Sequence, residues 1–421
     1  MCKDYFKEVK QRRYSRARES FIKSGKKYSS NINVKCYRSI TEIDELLWDN
    51  INAHQDIFHS YKFLSCIEKS NIENSELWYL VFFSNQKPVG SAVLSSFKIS
   101  LDLFTNKVLK KIIINFRKEY PNLLKINILF CGIPISVGKN SLTISSSIYL
   151  KEILHALVVQ MELIAIQNEI GHICFKEFRA DEVTWLDTLT ESGFMKIESL
   201  PYVYMRINWL SFDKYLGAMR HNYRRQIIQS LFNKTLKQPI IQNYDPSVVL
   251  SESNEKLFLF NPSQFDPKKF FELYMQIMNR LDTKLETLNE DFFINTFTLL
   301  EKQSLILAAV QNNEIKGAAY LIIDSNKITF LLVGLDYGYN NHHNVLMNLL
   351  YGIVKLAIDM KFKMLELGQT SYELKQRIGG RCIKEYFFLK SSNKKINFIL
   401  KMLKPILFPV VEIESRRVFN M

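Results

Sequence analysis

Between Asp336 and Arg377 the chain gathers side chains suited to moving protons or holding an anion: Asp336, His342, His343, Glu366, Gln369, Tyr372, Lys375 and Arg377. A histidine titrates close to neutral pH and can take a proton from an amine. His342 and His343 stand just ahead of an expected helix, where a capping or surface role is the alternative, and Asn344 is placed to cap that helix. In the apolar run Met364 to Leu367, strand alternation puts Met364 and Glu366 on one face and Leu365 and Leu367 on the other. Glu366 therefore either reaches a cleft as a general base or serves as a salt-bridged structural residue. Lys375 lies on a helix expected to begin at Ser371; Arg377, two residues on, faces elsewhere on such a helix. A second basic group, Arg220-His221-Asn222-Tyr223-Arg224-Arg225, offers Asn222, Arg224 and Arg225 to a phosphate-bearing donor or carrier, or else forms a solvated helix face. The six cysteines are scattered, with no C-x-x-C pair and no zinc-spaced histidines, so reduced thiols and no metal are expected.

The elements that must position these residues occur twice. Leu80-Val81-Phe82-Phe83, the turn Ser84-Asn85-Gln86-Lys87 and Pro88 to Leu94 recur as Leu307 to Val310, Gln311 to Glu314 and Ile315 to Leu321, at a constant offset of 227 that includes Gly90 and Gly317. The helical stripe Leu154, Leu157, Val158, Met161, Ile164, Ala165 recurs as Leu346, Leu349, Leu350, Ile353, Leu356, Ala357 at an offset of 192. Such self-similarity reads as two copies of one domain. In the first copy, helices are expected at 41–50 (Thr41 as N-cap), 61–70, 150–168 and 182–190. Strands follow at 126–130 and 173–175, and a final hairpin spans 194–207 around Pro201. The second copy follows the same order, with helices at 267–278, 290–301 and 345–360, strands at 328–333 and 364–367, and a late strand at 386–389. A helical connector at 210–233 joins the copies. Strands alternating with helices imply mixed α/β sheets with helices on their faces.

Composition sets limits. Hydrophobic residues at 47% and charged residues at 23% describe a folded protein rather than a disordered one, and 421 residues suffice for two cores. Of the formal charge of +14, residues 1–35 supply a net +8 from eleven Lys or Arg against three acids. More than half of the excess therefore sits on an N-terminal arm rather than in a nucleic-acid footprint spread over the fold. Anionic lipid, RNA or an acidic carrier protein would suit it, as would a solvated tail. The N-terminus lacks the apolar core of a signal peptide. Residues 396–411 are apolar but broken by two lysines and two prolines. They read as a closing segment on the second domain or as a segment at a membrane surface, not as a span.

The repeated hairpin with its glycine, followed by strand, helix and strand, resembles the GNAT acyltransferase fold, as does the corner Glu191-Ser192-Gly193-Phe194. Tyr372, Lys375 and Gly379-Gly380, with the Arg-rich connector, resemble tandem-GNAT bacterial proteins: Fem-type peptidyltransferases and cellulose- or peptidoglycan-biosynthesis-like acyltransferases. The resemblance covers about residues 36 to 390 and implies two tandem GNAT-like domains, each a mixed, mostly antiparallel sheet flanked by helices. The expected division is a basic arm (1–35), an N-terminal domain (36–207), an Arg-rich connector (208–240), a catalytic C-terminal domain (241–390) and a tail (391–421). Two departures stand out. Tyr337 to Asn344 occupies the place of the glycine-rich pyrophosphate loop, and no long charged helical insertion is visible.

The resemblance implies a cytoplasmic N-acyltransferase that joins an acyl group to an amine acceptor, a peptide among the candidates, without a covalent enzyme intermediate. No cofactor is permanently bound; acyl-CoA or an acyl carrier protein is the co-substrate, with aminoacyl-tRNA and a cell-wall precursor as the Fem-like alternative. A non-catalytic binding module is the alternative of another class. Splayed strands would bring the residues after Val333 and Leu367 to the reacting atoms. Glu366 and His343 are then candidate bases, Tyr372 a proton donor or a packing residue, and Lys375 a phosphate ligand or an oxyanion stabiliser. Asp336, Gln369 and Arg377 would bind substrate. The first copy's loop Ile133 to Ser147 holds no histidine or acid, which points to the second copy as the active one.

Overall fold

The computed structural model describes residues 32–100, 107–120, 123, 125–228, 240–242, 256–281, 284, 286–410 and 412–420. Most of the basic arm lies outside them. The chain forms two compact units, one of Met1–Ser199 with Glu385–Val411, the other of Leu200–Lys384 with Glu412–Met421.

The first unit contains β1 (Ile32–Tyr37), α1 (Glu45–Ile51), α2 (Tyr61–Ser70), β2 (Glu76–Ser84), β3 (Lys87–Ser100), α3 (Lys107–Phe116), β4 (Lys125–Cys131), β5 (Leu142–Ile144), α4 (Leu150–Gln167), β6 (His172–Arg179), α5 (Thr188–Glu191) and β7 (Met195–Glu198). From the far end of the chain it adds β16 (Glu385–Ser391) and α13 (Lys394–Leu407). Its sheet runs β1-β2-β3-β4-β6-β16-β7, with β5 on β3. Among the described residues of this sheet only β4 and β6 pair in parallel. The second unit holds β8 (Tyr202–Arg206), α6 (Phe212–Ala218), α7 (His221–Ile227), β9 (Ile241–Gln242), β10 (Lys256–Phe260), α8 (Pro267–Met278), α9 (Glu290–Leu299), β11 (Ser304–Gln311), β12 (Glu314–Asp324), β13 (Lys327–Leu335), α10 (Tyr337–His343), α11 (Val345–Asp359), β14 (Met364–Gly368), α12 (Tyr372–Arg377) and β15 (Arg381–Ile383). Its sheet runs β15-β8-β14-β13-β12-β11-β10-β9, with β13–β14 and β9–β10 parallel.

The repeat is present down to its irregularities. The β2–β3 register shifts between Phe82 and Phe83, and the β11–β12 register between Ala309 and Val310, the same step at the offset of 227. Each hairpin glycine is sterically required. A Cβ on Gly90 would lie 2.5 Å from the Thr143 carbonyl oxygen, and one on Gly317 would lie 2.7 Å from Val345 Cγ1. The helical stripes bury as their spacing predicts: Leu154, Leu157, Val158, Met161, Ile164 and Ala165 on α4, and Leu349, Leu350, Ile353, Leu356 and Ala357 on α11.

Several expectations give way. Residues 194–207 are not a hairpin: β7 pairs with β16, while β8 pairs with β14 and β15. The late strand expected in the second copy, β16, closes the first unit's sheet against β6. Each sheet thus takes one strand from the other half of the sequence. The connector is no free linker, because Phe212, Tyr215, Leu216, Met219 and Ile227 are buried in the second unit's core. It breaks into α6 and α7 at Met219-Arg220, and residues 229–233 lie outside those described. The tail divides: 385–411 belong to the first unit and 412–421 to the second. Thr41 is not a helix cap; Ser39 caps a short 3-10 turn and Asp44 caps α1. Only the ends of the expected 182–190 helix form, as a 3-10 turn at Val183–Trp185 and the four-residue α5.

Candidate active site

In the second unit the described β13 and β14 pair over only three positions, ending at Thr329↔Glu366, after which β13 continues to Leu335 paired with β12 on its other side. The opening beside that last pair is where the sequence placed its chemistry. Glu366 is 4% exposed, and the Thr329 hydroxyl donates to its Oε2 over 3.1 Å. Beyond β14 the backbone turns through left-handed conformations at Gly368 (φ 70°), Thr370 (φ 62°) and Ser371 (φ 48°). This sharp turn starts α12 and carries Lys375 inward.

Lys375 is 5% exposed. Its Nζ donates to the Gln369 carbonyl oxygen and lies 6.0 Å from the centroid of the Phe330 ring, on the stretch of β13 that β14 no longer pairs. No described carboxylate lies within ion-pair distance. Burial draws its ammonium down to about 7, only partly offset by the nearby Cys382 thiol. The double glycine after α12 is a packing requirement. Gly379 has φ 98°, and a Cβ there would meet the Phe419 ring at 2.4 Å; on Gly380 it would lie 2.6 Å from the Lys375 carbonyl oxygen and 2.7 Å from Val203 Cγ1. The Gly380 N–H donates to that same carbonyl over 2.9 Å.

The turn also walls a cleft of about 620 Å³ whose lining includes Gln376, Gly379, Gly380 and four arginines, Arg220, Arg381, Arg416 and Arg417, and no Asp or Glu. Arg416 reaches Glu373 at 3.1 Å. The other three have no carboxylate partner among the described residues. The remaining expected site residues fall as follows. The Gln369 side chain donates to the Leu200 carbonyl over 3.1 Å while its main chain holds Lys375. Tyr372 is half-buried against the second unit's core, in keeping with its packing alternative. Asp336 is the N-cap of α10, accepting from the Tyr339 N–H over 3.1 Å, with Lys316 at 3.7 Å. His343 is exposed and stacked on Tyr339 with ring centroids 3.9 Å apart, and His342 is exposed beside it. Asn344, expected as an N-cap, is left-handed and makes no side-chain cap. Arg377 pairs with Glu373 at 2.9 Å on the surface. Asn222, Arg224 and Arg225 sit on α7, and none of them lines the cleft; Arg220, just ahead of them, does. Sequence reasoning missed Arg381, Arg416 and Arg417. The pair Arg416-Arg417 was the available signal, but no local pattern tied it to Lys375.

The first unit answers the same geometry differently. Lys176, 6% exposed, lies 5.9 Å from the centroid of Phe130, its Nζ donating to the Ile135 carbonyl over 2.9 Å. Here a carboxylate is present: Glu177 Oε2 is 3.9 Å away. Burial raises the Glu177 carboxyl, against the lowering pull of Lys176 and of the N–H groups of Val137, Gly138 and Lys139. The loop after β4, which in a phosphate-binding half would offer its amides to a ligand, bonds a side chain of the chain itself. Among the described residues no group of three or more His, Cys, Asp or Glu could hold a metal ion.

A family model named FemAB-like and described as peptidoglycan biosynthesis/recognition matches residues 39–379. The crystal structure of FemX is similar to the chain at 12% identity, over 88% of this chain and 100% of its own, with a TM-score of 0.53. A tandem GNAT protein from the clavulanic acid biosynthesis pathway follows at 9% identity, over 86% and 99%, with a TM-score of 0.49. No curated protein sequence matches.

Proposed function

The chain belongs to the FemAB-like family, with two GNAT-like units in tandem, and from that premise we infer that its second unit acylates an amine of a peptidoglycan precursor. The observation that carries this reading is Lys375: a buried ammonium with no carboxylate partner among the described residues, held at the parting of two strands. In the reaction the neutral acceptor amine attacks the donor carbonyl. A C–N bond forms, the C–O bond of an ester or the C–S bond of a thioester breaks, and the amine proton passes by way of a base to the departing oxygen or sulfur. The protonated Lys375 stabilises the oxyanion between these steps, an interaction strengthened by its dry surroundings. Glu366, oriented by Thr329, is the candidate proton acceptor. The arginine-lined cleft suits the phosphates of a donor, whether acyl-CoA, an acyl carrier protein or aminoacyl-tRNA. The donor is a co-substrate, and no resident cofactor is required.

The test is to incubate the full chain with a muramyl pentapeptide bearing a free amine and, separately, each donor class, reading the mass of the peptide. Nuclease sensitivity separates tRNA from coenzyme A or carrier protein. Lys375→Met is expected to lower turnover at least about a hundredfold, as loss of a single oxyanion donor does. Undiminished turnover in that variant would remove the site assignment.

A further inference from the structure

Helix α13 shows a feature that amine acylation does not use. It is held to the first unit by one side only: Leu400, Leu407 and the following Phe408 are buried, Phe408 stands edge-on to Phe387 with centroids 5.5 Å apart, and Asn397 Nδ2 donates to the Gly193 carbonyl over 3.1 Å. With about 100° per residue, these anchors share one side of the helix. Around the rest run Phe398, Met402, Ile406, Ile399, Leu403 and Ile396, a largely apolar arc of about 160° that Lys395 enters only in the first turn of the helix. All six are exposed, Phe398 at 64% and Met402 at 67%. Val410 beyond the helix is exposed as well.

Beyond that first turn the exposed apolar side chains form one face, and such a face marks a contact with something apolar. Its charge pattern decides what. The helix carries Lys394, Lys395, Lys401 and Lys404, all exposed, and no acidic residue. Lys394 and Lys401 border the arc at its Phe398 edge, where their stems can follow the apolar surface while the ammonium groups reach outward. Apolar side chains that enter an acyl layer, flanked by lysines at headgroup level, form an interfacial helix. A protein partner matching this face would need carboxylates along the lysine edge and apolar groups across the arc. An anionic bilayer offers both along any line on its surface.

We propose that α13 is an in-plane membrane anchor that seats the first unit on an anionic lipid surface. It does not span the bilayer: no described helix is long and apolar enough to cross. The anchoring is independent of the transfer chemistry and stands or falls without it.

The test is co-sedimentation of the full chain with vesicles of phosphatidylcholine alone or of phosphatidylcholine with phosphatidylglycerol. The wild type is expected to bind the anionic vesicles, with affinity falling as salt rises. Phe398→Ser with Met402→Ser, both at exposed positions, should leave the melting temperature unchanged and weaken vesicle binding at least about tenfold, in line with two buried apolar side chains. Lys394→Glu with Lys401→Glu should abolish the preference for anionic vesicles. Three results would overturn the proposal: no wild-type binding to anionic vesicles, binding that persists in the serine variant, which would assign it to the basic N-terminal arm, or a wild-type dimer that the serine variant dissociates, which would make a second copy the occupant.

Discussion

At the scale of single residues, Lys375 separates function from stability. Its ammonium falls from an ordinary 10.5 to about 7 on burial, so between those values the unfolded chain binds more protons than the folded one. Stability must therefore rise with pH across that window, and the cost of the buried charge is fully present below about pH 7. By linkage that cost is on the order of 5 kcal/mol at most. Lys375→Met keeps the volume and removes the charge, and is expected to raise the melting temperature at pH 6 while narrowing its advantage toward pH 10; thermal unfolding across pH reads this directly. A variant less stable than the wild type at pH 6 would mean that the lysine is a structural donor to the Gln369 carbonyl. The same titration bears on rate. If the ammonium is the active form, kcat/KM falls as pH rises through about 7, and that limb is absent in whatever activity Lys375→Met retains. Much of this was readable in the sequence, because tyrosine, lysine and double glycine are close neighbours. The surroundings of Asp336 and His343 were not legible: capping and ring stacking depend on α10, a helix that the glycine-poor polar stretch Tyr337 to Asn344 did not announce.

At the scale of elements, α12 and its glycine turn act as one piece. Gly380→Ala would force a Cβ between the Lys375 carbonyl and Val203, both fixed by packing, and is expected to cost about 2–4 kcal/mol and to displace Lys375. Gly338→Ala is the control. Its nearest neighbour would be Asp336 Oδ1 at 3.6 Å and the position is helical, so alanine should stabilise by about 0.5–1 kcal/mol. Denaturant midpoints of the two variants should move in opposite directions. The hairpins were legible down to their offset because turn chemistry and alternation are local signals. The parting of β13 from β14 was expected from resemblance alone; nothing in Ile328 to Val333 records that its pairing stops at Thr329.

At the scale of the whole molecule, the exchange of β8 and β16 was hidden from the sequence. Pairing partners that lie from 158 to 219 residues apart, Met364 with Arg206 and Ser391 with His172, leave no periodicity to read. Both strands look like the natural ends of their own halves. A chain divided after Ser199 is accordingly expected to give two fragments, neither of which folds by itself: 1–199 lacks β16, so β7 has no neighbour, while 200–421 carries β16 and α13 with no sheet to join. Mixing them during refolding should restore the circular dichroism of the intact protein. Cooperative unfolding of fragment 1–199 alone would show that β16 is dispensable.

The late arrival of β16 also orders events during synthesis. A ribosome translating this message has emitted the whole of the second sheet before the strand that completes the first leaves the exit tunnel. The first half must wait, its β6 rim unguarded, through most of translation. Slow codons between those for β7 and those for β16 would prolong that vulnerable interval, and chaperone demand should track elongation speed more steeply than for a protein whose domains close in the order they are made.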